Sequence, residues 1–306
     1  MKSVTNLKLL GCQRIRGWGI WIMYTIETYK DNKRFNEQYE EIHQFLLKVA
    51  DKGYNEHFHW ARFEWMMDHS FLDEDKLTTI AVFRNHANDI VGMTTYDTVY
   101  DDRTYLIHSN LDINLLKMMV EYVIKNDSTS CIKINSMDDF LKEILKEYSF
   151  SLKKDESVLE FDLKKSIEYE VPSGFAISSV DFNIDNWKYQ LVIHKGFNHE
   201  GIPEKWDDDF LKPSLNCNNK LKVFAMNSEE YCAHCGIWYT QGDTAYIEPV
   251  VTIPQYRKIG LAKAVVYEAL ARVKELGAKR AIVLSDQEFY YKIGFEKSST
   301  FGSWYY

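Results

Sequence analysis

The stretch Glu248–Ala262, EPVVTIPQYRKIGLA, decides how this chain folds. A β-branched run stops at Pro254, two cations follow at Arg257 and Lys258, and Gly260 stands where an amphipathic helix begins. In a regular strand, Tyr246, Glu248, Val250 and Thr252 share one face and Ile247, Val251 and Ile253 the other. Pro249 sits in the middle. It has no N–H for a ladder, so it marks an edge, a bulge or a splayed strand whose neighbouring backbone groups stay free for another partner. An extended ligand that behaves like an added strand suits such an edge.

Downstream, Ala262, Val265, Val266, Ala269, Val273 and Leu276 form one broad helical face, with Lys263, Tyr267 and Lys274 opposite and Gly277 as the C-terminal cap. The helix start offers unpaired N–H groups and a positive dipole end, and Gly260 lets the backbone come close to an anion. The loop therefore reads as a phosphate cradle, and a pyrophosphate-bearing cofactor is the first expectation. A tight turn whose glycine merely packs has the same spacing.

The 306 residues are comfortable for two domains, and 45% hydrophobic with 27% charged residues lets each half bury a core. A net charge of -8 speaks against a nucleic-acid binder and agrees with a cationic or amine-bearing partner. Five cysteines without a repeating framework fit a reducing compartment, so the cytoplasm is expected. Met1–Ile22, with Lys2, Lys8, Arg14 and Arg16, is too interrupted for a signal segment or a membrane span. It reads as an extension (1–22) before the first domain, with Met23 as an alternative start, and no membrane association is expected.

From Tyr24 onward the pattern predicts strand, helix, helix, strand, strand, then helix, strand, helix, strand. Tyr39, Ile42, Phe45, Leu46 and Val49 recur at helical spacing; Thr79–Phe83 and Asp89–Tyr96 read as strands, Leu115–Ile124 as a helix, and strands from Cys131 and Val158 bracket a helix at Phe140–Tyr148. The second half repeats the order. Phe175–Val180, Leu221–Met226, Tyr231–Tyr239, Thr244–Ile253 and Ala281–Leu284 read as strands; Trp187–Phe197, Lys205–Leu215, Leu261–Leu276 and Glu288–Lys292 read as helices. Lys164, Lys165, Pro172 and Gly174 interrupt the apolar pattern and place a boundary near Lys164–Gly174.

Arg257, Gly260 and Ala262 match the Arg/Gln-x-x-Gly-x-Gly/Ala signature of the GNAT acyltransferase superfamily, and Phe289–Phe295, FYYKIGF, resembles that family's aromatic-Tyr-x-Lys-x-Gly-Phe segment. The motifs fall in the family's order and at a fitting distance. The resemblance covers about Phe175 to the C-terminus by motif and the first half by element order alone. It implies an α/β (α+β) protein of two tandem GNAT-like domains, each a mixed, mostly antiparallel sheet flanked by helices: a degenerate domain over 23–166 and a catalytic one over 167–306.

By resemblance, acetyl-CoA is the cosubstrate and lies between two splayed strands. Val250, Val251 and Thr252 correspond to the pantetheine-binding backbone, and Arg257, Lys258, Ile259, Gly260, Leu261 and Ala262 to the pyrophosphate loop, with Lys263 at its rim. Tyr290 occupies the position of the tyrosine that protonates the departing thiolate, with Tyr291 one residue away. The Val250 N–H is the candidate oxyanion donor. Glu248 is the candidate base, directly or through water, and a carboxylate beside Pro249 equally suits solvation or a cationic substrate. The amine, of a small molecule or a peptide, is expected to attack directly. An acyl-CoA-binding regulatory module without turnover is the alternative, and an aminoacyl-tRNA-dependent transferase built from paired GNAT folds is a third reading, against which the Arg257 and Gly260 loop and the acidic charge both speak. Neither the acceptor nor a choice between monomer and homodimer follows from the sequence.

No metal is expected. Cys232 and Cys235 form a lone C-x-x-C on a strand, where positions three apart face opposite sides, and His57 and His59 lack a third ligand. In the first half, Asp101–Leu116 reads DDRTYLIHSNLDINLL, without glycine and with Asp101, Asp102 and Asp112 where a pyrophosphate would want positive charge. That half is expected not to bind CoA and to buttress the second.

Overall fold

The computed structural model describes residues 24–69, 71–101, 103–126, 131–205 and 215–306. The chain divides into two compact units: one runs up to Glu156 and also takes Ser299–Tyr306, and the other is Ser157–Ser298. Lys164–Gly174, where the apolar pattern breaks, lies within the second unit. The extension over 1–22 and most of the Lys205–Leu215 helix lie outside the described residues.

The first unit contains β1 (Thr25–Thr28), α1 (Glu37–Val49), a 3-10 segment (Gly53–Phe58), α2 (Trp60–Asp68), β2 (Ala81–Arg84), β3 (Ile90–Thr95), β4 (Arg103–His108), α3 (Ile113–Asn126), β5 (Cys131–Asn135) and α4 (Asp139–Glu147). Its sheet order is β1-β2-β3-β4-β5, antiparallel except for the β4–β5 pair. Asn36 and Asp138 start α1 and α4 by accepting the N–H groups of Tyr39 and Leu141, the usual role of a short polar side chain at a helix start. One face buries Leu115, Leu116, Met119 and Val120 of α3 with Leu141, Ile144 and Leu145 of α4.

The chain leaves this unit within β6 (Ser151–Asp162), and the second unit continues with β7 (Ala176–Ile177), α5 (Asn186–Gly196), β8 (Lys222–Met226), β9 (Tyr231–Trp238), β10 (Thr244–Thr252), α6 (Leu261–Glu275), β11 (Arg280–Leu284) and α7 (Glu288–Lys292), until the chain returns to the first unit within β12 (Glu296–Tyr305). Its sheet order is β6-β11-β10-β9-β8-β7. Among the described residues its one parallel pair is β10–β11, the counterpart of β4–β5. The two final strands are exchanged: β6 after Glu156 pairs with β11, whereas β12 from Phe301 pairs with β5.

Three elements differ from the sequence expectation. Arg103–His108 is a strand inside the Asp101–Leu116 stretch, for which no strand is expected, and β12 adds a strand beyond the last expected helix. The strand expected over Phe175–Val180 shrinks to the two residues of β7. On α6, Tyr267 faces inward instead of outward: it is buried and its hydroxyl donates to the Ile293 carbonyl at 2.9 Å, while Leu276 is 55% exposed.

Candidate active site

The site grows from the middle of β10. Ile247 pairs with Ile237 and the next pair is Val250 with Cys235, so Glu248 and Pro249 together oppose Gly236 in a β-bulge. Gly236 is required there, because a Cβ on it would lie 2.6 Å from the Glu248 carbonyl oxygen. On the other side, β10 pairs with β11 only over Thr244–Tyr246, and the strands part beyond that point. Of the three readings of Pro249, the bulge and the splay both hold.

Backbone parity decides what the opening exposes. The Ile253 N–H donates to the Cys232 carbonyl at 3.0 Å, which makes that pair, and the Val251–His234 pair two residues back, the hydrogen-bonded ones. The N–H and C=O of Val250 and Thr252 therefore point away from β9, into the gap left by β11. Arg257 takes one of these groups, its Nε donating to the Thr252 carbonyl at 2.9 Å. The Val250 N–H and C=O and the Thr252 N–H are left facing the gap.

The bulge also corrects the expected strand faces. Ile247 packs into the cluster built on α6, whereas Val251 and Ile253 pack with Val192 of α5. Val250 joins the α6 side. Glu248 thus does not share a face with Val250: its carboxylate accepts the Tyr246 hydroxyl at 2.7 Å, its carbonyl accepts Trp238 Nε1–H at 2.8 Å, and its side chain is absent from the cleft wall.

At the far end of the gap, Gly260 precedes α6 with φ of +102°, and no side chain caps the helix. The first helical bond runs from the Ala264 N–H to the Gly260 carbonyl at 3.1 Å, so the N–H groups of Leu261, Ala262 and Lys263 precede the ladder. Lys258, with φ of +65°, is a second left-handed residue in the same loop. Arg257 acts as a pin rather than a free cation. Besides the Thr252 carbonyl, its guanidinium donates to the Gly196 carbonyl at 2.8 Å and to Asn198 Oδ1 at 3.0 Å, tying the loop to the end of α5.

These parts enclose a cavity of about 640 Å³. Val250, Val251, Thr252, Arg257, Lys258, Gly260, Ala262, Lys263 and Tyr290 of the expected site line it, joined by Gly196, Phe197, Asn198, Tyr256, Gln287 and Phe289. Ile259 points to solvent and Leu261 into the core. The additional lining from α5 carries no motif; its one local signal is Gly196, where a Cβ would meet Val251 at 2.5 Å. Tyr290 is buried in the wall at 6% exposure, whereas Tyr291 is 42% exposed and outside it. Burial, reinforced by Cys235 and Glu248, pushes the Tyr290 phenol well above its ordinary value and keeps it protonated.

The family model described as Acetyltransferase (GNAT) family matches residues 187–295. The second unit carries a GNAT domain. Among curated protein sequences, none matches the chain. Solved structures resemble it in fold. A GCN5-related N-acetyltransferase from Sphaerobacter thermophilus is 12% identical, with 92% of this chain and 94% of that one covered at a TM-score of 0.54. A tandem GNAT protein from the clavulanic acid biosynthesis pathway is 11% identical, with 92% and 97% covered at 0.56. The L-PGS structure from Bacillus licheniformis is 12% identical, with 90% and 93% covered at 0.51. The GNAT domain thus contains both the open strand edge and the uncapped helix.

Among the described residues, no group of three or more His, Cys, Asp or Glu side chains lies together to hold a metal, and no helix is long and apolar enough to cross a membrane. Cys232 and Cys235 are both buried in β9, and His57 and His59 lie in the first unit.

Proposed function

We propose that this chain is an N-acetyltransferase that moves an acetyl group from acetyl-CoA to the amine of a small molecule or peptide, with its chemistry in the GNAT domain. The observation that carries this reading is the run of outward backbone groups at Val250 and Thr252 leading to the uncapped start of α6. An extended amide arm ending in a pyrophosphate needs that combination: an unpaired strand edge, then N–H groups at a positive dipole end. Lys258 and Lys263 line the same cavity and add positive charge at its phosphate end.

In this reading the Val250 N–H donates to the oxygen that gains charge as the amine attacks, and the Tyr290 hydroxyl gives its proton to the departing thiolate. Glu248 is held by Tyr246 on the other face of β10. From there it receives a proton from the acceptor amine through water rather than by direct contact within the cleft. Transfer is direct, because Cys235, the cysteine opposite Val250, is fully buried with its thiol pushed far above its ordinary range. The proposed compartment is the cytoplasm, on the cysteine usage.

A thiol-release assay across a panel of amines, run on the wild type and Tyr290→Phe, tests the proposal. The substitution should abolish most turnover while acetyl-CoA binding persists. Binding without turnover for every amine in the wild type would favour the regulatory module instead.

A further inference from the structure

The first unit has the same strand fork as the second, but it is filled. β4 and β5 pair in parallel over Arg103–Tyr105 and part beyond, as β10 and β11 do. The Ser109 N–H donates to the Val91 carbonyl at 2.9 Å, so parity along β4 turns the N–H and C=O of Leu106 and His108 away from β3 and into the fork. These are the counterparts of the groups that Val250 and Thr252 leave open.

The 3-10 segment Gly53–Phe58 takes three of these four groups: both of His108 and the Leu106 carbonyl. Asn55 Nδ2 donates to the His108 carbonyl at 2.7 Å, Asn55 Oδ1 accepts the His108 N–H at 3.3 Å, and His57 Nε2–H donates to the Leu106 carbonyl at 3.1 Å. The Asn55 amide thus pairs with a strand residue in both directions, as a peptide group of an added strand would. Between them Glu56 reaches the other tine: Ser299 Oγ donates to its carboxylate at 3.0 Å and in turn accepts Asn135 Nδ2–H of β5 at 3.1 Å. All three side chains are buried. The phosphate end is closed as well, because the Asp112 carboxylate caps the start of α3 by accepting the Asn114 N–H at 2.8 Å.

We infer that Gly53–Phe58 is a built-in ligand of the first unit's fork, its Asn55 and His57 side chains occupying the strand edge that an amide-bearing arm would otherwise bind, so that each chain keeps a single cofactor cleft. This goes beyond the missing glycine loop: three groups of the edge are already paired, and a cofactor would have to displace those buried partners. The cofactor arm of the test rests on the acyl-CoA reading of the GNAT domain; the comparison of free amides does not.

Hydrogen exchange resolved at single amides, on the full chain with and without CoA, reads this directly. In the free protein the His108 amide should exchange on the order of 100-fold more slowly than that of Val250. Adding CoA should slow Val250 and Thr252 and leave His108 unchanged. A His108 amide as fast as Val250, or one slowed by CoA, overturns the inference. If CoA slows neither Val250 nor Thr252 while His108 stays protected, the filled fork stands and the acyl-CoA reading falls. Asn55→Ala should speed His108 exchange at least about tenfold without moving Val250, and an unchanged His108 rate overturns the inference. Should that variant not fold, nitrogen NMR of the wild type decides. Among its titratable and charged neighbours His108, Asp138 and Arg62, the buried His57 ring should stay neutral with its proton on Nε2 at mildly acidic pH. A ring titrating near its ordinary value has left the edge.

Discussion

Replacing Gly260 with alanine tests the proposed phosphate end of the cleft without touching charge. Gly260 holds φ of +102° and ψ of -9°, and a Cβ there would find its nearest neighbour, Pro172 Cγ, at 3.8 Å, an ordinary contact. The whole effect is therefore conformational. A side chain in this region costs about 1–3 kcal/mol, and the loop can escape only by turning the N–H groups at the start of α6 away from the ligand. If the strain is relieved in the free protein and restored on binding, it appears as about a 5- to 150-fold rise in Kd. Calorimetric titration with acetyl-CoA measures it, with acetyl-pantetheine, which lacks the pyrophosphate, as the control. The weakening should be confined to acetyl-CoA, and Gly260→Asn, which tolerates left-handed backbone better, should recover part of it. Unchanged acetyl-CoA affinity in Gly260→Ala, or an equal loss for acetyl-pantetheine, would refute the assignment of this loop to the pyrophosphate.

Tyr290→Phe should lower kcat about 10²–10⁴-fold, the usual worth of a positioned proton donor, with acetyl-CoA Kd unchanged in titration, whereas Tyr291→Phe should leave both intact. Because the buried phenol titrates well above its ordinary value of 10.0 and carries its proton below its own pKa, the rate should show no falling limb attributable to this residue up to about pH 10; a limb centred near the ordinary value that Tyr290→Phe removes would contradict the burial argument. Gly236→Ala pushes a methyl against the Glu248 carbonyl and should cost about 1–3 kcal/mol in urea unfolding, together with weaker acetyl-CoA binding as the bulge shifts.

The decisive parts of the second unit were legible because their signals are local. Pro249 marks a break in a ladder, Gly260 a left-handed loop, and the last helix ends in KIGF, so strand, loop and helix all follow from neighbours in sequence. The strand faces were not, because the bulge at Glu248–Pro249 shifts parity by one residue and sends Val250 to the side of Ile247. β12 escaped detection for a different reason. EKSSTFGSWY is polar, and its buried Ser299 and Ser303 are read only against β5, some 165 residues away in sequence, as in the Phe301–Asn135 pair. In β4, Arg103, Thr104 and His108 hide an apolar centre between flanking aspartates and asparagines. The sequence shows of His57 only that it lacks partners for a metal, and nothing in GYNEHF announces that Asn55 and His57 pair with a strand edge; that role exists only once β4 and β5 are seen to part.

The central claim is that one acetyl-CoA cleft, in the GNAT domain, serves the whole chain. Titrating the intact protein with acetyl-CoA in a calorimeter tests it most directly. One saturable site per chain, weakened by Gly260→Ala and not by Asn55→Ala, is the result this account predicts. No saturable binding, or two sites of similar affinity, would contradict it.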